Sequence, residues 1–76
     1  MEPIANPFDY ELLRFVRANP REHAAAVARH FDRNPQYVDA RLAWLAGAGY
    51  LRERRESPGP PRFEVSGTVA DAMADG

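Results

Sequence analysis

The 76-residue sequence has no cysteine and no lysine. No apolar run in it approaches the roughly 20 residues that a bilayer span needs. Without cysteine there is no disulfide, no thiolate metal site and no cysteine nucleophile. The first residues, Met-Glu-Pro-Ile-Ala-Asn-Pro, lack the basic-then-apolar order of a secretory signal, so a cytoplasmic chain with no membrane partner is expected. A charge excess of either sign is also missing. Ten arginines stand against eleven acidic residues, for a net charge of -1. Such a balance gives no global attraction to a polyanion, so binding to one must rest on local charge.

The usual signatures of catalysis are absent too. There is no glycine-rich phosphate loop, no paired carboxylates, and no nucleophile motif around Ser57, Ser66 or Thr68. His23 and His30 stand two helical turns apart on the expected second helix, about 10 Å of rise, which is too far to share one metal ion. The expectation is a protein that is not an enzyme and holds no cofactor and no metal.

What is present is an ordinary globular composition, 45% hydrophobic and 28% charged, which is too apolar for a disordered chain. Prolines at 7, 20, 35, 58, 60 and 61 divide the chain into readable pieces. Asn6-Pro7 is a helix start, an N-cap followed by proline at the first helical position. The helix runs to about Ala18, with Phe8, Leu12, Phe15 and Val16 on its inner face and Asp9 and Glu11 suiting the positive end of its dipole. Residues 21–32 read as a second helix, with Ala24, Val27, Ala28 and Phe31 inside. Asn34-Pro35 repeats the start signal for a third helix to about Ala48, buried along Val38, Leu42 and Leu45.

Gly47 and Gly49 stop that helix. Tyr50 to about Glu56 and Arg62 to Ser66 then read as the strands of a hairpin, joined by Ser57-Pro-Gly-Pro-Pro61, which cannot be helical. Ser66 is placed to cap a last helical turn carrying Val69 and Met73. The domain therefore spans residues 7–73, with an N-terminal arm at 1–6 and a frayed tail at 74–76.

Asp32-Arg33-Asn34 is the short joint of a helix-turn-helix, and a hairpin directly after the third helix makes it winged. Val27-Ala28, Phe31, Asn34, Tyr37-Val38, Arg41-Leu42, Leu45, Gly49-Tyr50-Leu51 and Phe63-Glu-Val-Ser66 resemble the winged helix-turn-helix signature of small prokaryotic transcription regulators. The pattern is similar to that of archaeal phage-repressor-like winged-helix proteins, and the multiple-antibiotic-resistance and arsenical-resistance regulators share the skeleton. The match covers about Phe8 to Met73. It implies a mainly α fold with a three-helix core, a wing hairpin and a short C-terminal helix. It also implies binding of double-stranded DNA, with the third helix in the major groove and the wing on the backbone.

The residues that would carry such binding are Gln36 and Ala40 toward base edges, and Tyr37, Arg41 and Trp44 as an aromatic-arginine-aromatic stripe. Arg33, Arg52, Arg54, Arg55 and Arg62 would contact phosphates. Strand alternation sends Arg52 and Arg54 to one side of the hairpin and Glu53 and Arg55 to the other. Asp39 opposes a phosphate partner, and the third helix is poor in donors. A second reading therefore stands beside the first, a winged helix that meets a protein partner through Tyr37 and Trp44. A homodimer is the expected form on DNA, with Tyr10 and Leu13 on the outer side of the first helix and Val69 and Met73 in the tail left over for the contact; the alternative, favoured for Val69 and Met73, is that they are marginal core.

Overall fold

The structure is a computed structural model and describes residues 3–55 and 58–75. Glu56 at the end of the expected first hairpin strand, Ser57 in its turn, the first two residues of the arm and Gly76 lie outside the described residues. The elements are α1 (Pro7–Ala18), β1 (Glu22–His23), α2 (Ala24–Phe31), α3 (Pro35–Gly47), β2 (Leu51–Arg54), β3 (Arg62–Val65) and α4 (Gly67–Asp75). The three strands form one antiparallel sheet in the order β1-β3-β2. The domain is thus mixed α/β, four helices packed with a small sheet. No helix among the described residues is long and apolar enough to cross a membrane.

Local chemistry sets the helix ends. The Asn6 side chain accepts from Phe8 N–H, and that of Asn34 accepts from Gln36 and Tyr37 N–H, so both Asn-Pro pairs start helices as expected. At the end of α3 the Gly49 N–H donates to Ala46 O at 3.2 Å and the Tyr50 N–H to Leu45 O at 2.9 Å. Gly49 sits at φ 93°, the left-handed conformation that this helix-terminating pair of bonds requires.

Three expectations are corrected. Residues 21–32 are not one helix, because Arg21 takes φ 67° and its N–H donates to Phe63 O at 2.9 Å. That bond draws Glu22 and His23 into β1 as a third strand, and His23 leaves the helix it was assigned to. Leu13 is buried rather than outward, since Val69 and Met73 of α4 line the same groove. Ser66 precedes α4, and its carbonyl accepts from Ala70 N–H, but its buried hydroxyl has no hydrogen-bond partner among the described residues and does not cap the helix. The helix it precedes runs to Asp75.

The core is one cluster. Phe8, Leu12, Leu13 and Val16 of α1 meet Val27 and Ala28 of α2, Val38, Leu42 and Leu45 of α3, and Leu51 and Phe63 of the sheet. Trp44, Phe15, Phe31 and Val65 are half-buried against it. The sheet therefore has an inner face closed by the helices and an outer face turned away from them.

Candidate functional site

The hairpin register assigns the charged side chains to faces. Arg52 pairs with Glu64 and Arg54 with Arg62, while Leu51 pairs with Val65 and Glu53 with Phe63. Cross-strand partners share a face, so Arg52, Arg54, Arg62 and Glu64 stand together on the outer side. Arg54 Nε donates to Glu64 Oε1 at 2.7 Å. Arg62 Nη1 donates to the Arg21 carbonyl at 3.0 Å, which ties the hairpin to the strand beyond it. The hydrogen bond from Arg54 holds the Glu64 carboxyl below the ordinary carboxylate range against the cost of its partial burial, and the charges of Arg54, Arg52 and Arg21 add to the effect. The outer face is thus a patch of four arginines, 21, 52, 54 and 62, around one glutamate. Arg55 belongs to the other side of the hairpin, where Nη2 donates to Glu53 Oε1 at 3.3 Å.

Because the folded Glu64 titrates below its unfolded value, its contribution to stability is complete above about pH 5 and is lost as the pH falls through the lowered folded value. Glu64→Gln should cost up to about 1 kcal/mol at pH 7 and nothing near pH 2, the size expected of a largely solvated ion pair. Urea unfolding of both proteins at the two pH values checks this. An equal difference at both would show that the loss comes from packing.

The third helix carries less charge than its outward position suggests. Gln36, Asp39, Ala40, Ala43 and Gly47 are exposed, and no cation is among them. Arg41 was expected to reach phosphate or a base beside Tyr37 and Trp44. Its guanidinium instead grips Asp9 of α1, Nε to Oδ1 at 3.0 Å and Nη2 to Oδ2 at 2.5 Å. It also lies over Trp44, 5.0 Å from the ring centroid. Asp9 is fully buried, and its hydrogen bonds raise the already high pKa of Arg41 against the opposing effect of desolvation. Trp44 is half-buried against the core.

Tyr37 is 41% exposed and stacks on Phe8, with its hydroxyl accepting from Asn6 Nδ2 at 3.1 Å. Arg33 lies over the same Phe8 ring at 4.5 Å. The structure therefore gathers seven of the ten expected residues into three settings, with Gln36 and Ala40 on the exposed side of α3 and Arg55 on the other side of the hairpin. Arg52, Arg54 and Arg62 come together on the sheet, Arg33 and Tyr37 meet at Phe8, and Arg41 with Trp44 joins α1 to α3.

Arg21 is a member of the sheet patch that the sequence reading did not single out. The signal is nonlocal, since it enters the patch only because its backbone pairs with Phe63. No group of three or more acidic or histidine side chains among the described residues could hold a metal ion. His23 Nδ1 lies 3.3 Å from Pro61 O, and the His30 ring stacks on Phe15 at 4.2 Å. Comparison of the chain with protein-family models, with curated proteins and with solved structures finds no match.

Proposed function

We propose that the chain is a winged helix-turn-helix domain that binds double-stranded DNA, as a prokaryotic transcription regulator does. The observation that carries this reading is the outer sheet face, where Arg21, Arg52, Arg54 and Arg62 surround a single carboxylate. Such a patch supplies phosphate contacts that position a duplex without reading it. Support for the winged form comes from the element order, the three-residue joint between α2 and α3, and the hairpin that follows. The exposed side of α3, with Gln36 at one end and Ala40, Ala43 and Gly47 along it, is small enough for close approach to a groove, and Gln36 can pair with an adenine edge. Arg41 is not a phosphate ligand in this scheme. It fixes the angle of α3 by holding Asp9.

The competing reading is a protein partner on α3. It draws on the same uncharged surface, on Asp39 and on the exposed ring of Tyr37. Salt dependence separates the two. With about four phosphate contacts, affinity for a random duplex should fall on the order of a hundredfold between about 50 and 200 mM salt. Arg52→Ala with Arg54→Ala should lower the logarithmic salt slope by about two. Glu64→Gln should tighten binding about threefold, since it removes one repulsive charge from the patch. Fluorescence anisotropy reads all three. No binding at the lower salt would refute the DNA reading and direct attention to Tyr37.

A further inference from the structure

A recess of about 630 Å3 lies away from the sheet patch, between α1, α4 and the chain before α1. This is within the range of about 300–1,000 Å3 typical of small-ligand sites. Its walls are apolar, with Ile4, Leu13, Val69 and Met73 among them. Among the described residues its charged groups are of one sign, Arg14 and Arg17, one turn apart on α1. A second recess of about 260 Å3 continues past the same two arginines and Met73.

Neither arginine has a carboxylate partner among the described residues. Glu11, one turn before Arg14, makes no ion pair with it. No acidic residue among the described residues lines the recess, and the Tyr10 and Thr68 hydroxyls on its wall can donate. Two uncompensated guanidinium groups beside an apolar trough complement one kind of molecule, an unbranched chain ending in an anion.

We infer that this groove is a binding site for an amphiphilic carboxylate of the medium-chain fatty-acid class. The acyl chain lies between Leu13, Val69 and Met73, and the carboxylate meets Arg14 and Arg17. Guanidinium binds carboxylate through paired, charge-assisted hydrogen bonds, which favours this head group over a neutral one. The inference is independent of DNA binding, because none of its residues belongs to the sheet patch.

The test is titration of the full chain with decanoate, followed by amide chemical shifts, with decanol as the uncharged probe. Saturable shifts should centre on Leu13, Tyr50, Val69 and Met73. Decanol should bind about tenfold more weakly, and Arg14→Gln with Arg17→Gln should weaken decanoate by about the same factor while leaving decanol unchanged. Both arginines are exposed, so the double variant should keep the fold, and an unchanged amide spectrum without ligand confirms that. Equal binding of decanoate and decanol, or shifts located elsewhere, would overturn the inference. No binding of decanoate would overturn it as well, and a dimer in sedimentation that Tyr10→Asp dissociates would then assign the groove to a second copy of the chain.

Discussion

Arg41→Ala should bring the domain to the edge of unfolding, at a cost of about 3–5 kcal/mol, the usual penalty for stranding a buried charge. Asp9 is 0% exposed, and its side-chain hydrogen bonds come from Arg41, one to each carboxylate oxygen. Once the guanidinium is removed, the carboxylate is left buried without its hydrogen-bond donors, or the helix pair must open to admit water. A folded domain is stable by about 5–15 kcal/mol, and a chain with so small a core belongs at the low end. The reverse substitution is not equivalent. Arg41 is 25% exposed and rests on Trp44, so in Asp9→Ala it can turn its charge to water. That change should cost less, about 1–3 kcal/mol. Arg41→Lys should fall between, because an ammonium keeps the charge but cannot match both oxygens. Asp9→Leu combined with Arg41→Met should recover most of the loss, as replacement of buried pairs by apolar residues commonly does. Urea midpoints for the four variants decide the matter. If Arg41→Ala proves as mild as Asp9→Ala, the pair does not clamp α1 to α3.

The same pair shows where sequence reasoning reaches its limit. Signals confined to a few neighbouring residues were legible. Asn6-Pro7 and Asn34-Pro35 mark helix starts because cap and proline act on adjacent N–H groups, and the buried residues of α3 follow from helical spacing alone. By its place in the first turn Asp9 suits the helix dipole. Yet it lies in the stripe 9, 12, 13, 16, all of it buried, and a carboxylate in a buried stripe demands a cation. Nothing local names that cation, which stands 32 positions away. The short strand β1 was illegible for a related reason. Two residues show no alternation, and their hydrogen bonds come from β3. The outward direction of Arg52 and Arg54 was legible from alternation, whereas the bond from Arg54 to Glu64 and the arrival of Arg21 depend on register.

Phe63→Ala should cost about 3–5 kcal/mol, the range for emptying a buried aromatic site, and should undo the sheet before the helices. Phe63 is 1% exposed and lies on the central strand, in register with Glu22 on one side and Glu53 on the other. Its carbonyl takes the Arg21 N–H that starts β1, and its ring enters the core beside the helices. Among its described residues the hairpin has one other buried side chain, Leu51, so without the Phe63 ring little apolar surface opposes the entropy of ordering it. The outer arginines depend on this anchor, for they form a patch only while β1, β3 and β2 stay in register. Phe63→Leu, which keeps most of the apolar volume, should cost about 1–1.5 kcal/mol and leave the helices intact. Hydrogen exchange in this variant should speed up at the paired amides of β2 and β3 more than in α1 or α3, because local opening of the sheet then lies closer in energy to the native state. Equal acceleration in helices and sheet would mean that the domain opens only as a whole. In that case Phe63 stabilises a single cooperative unit, and the sheet has no separate opening for it to control.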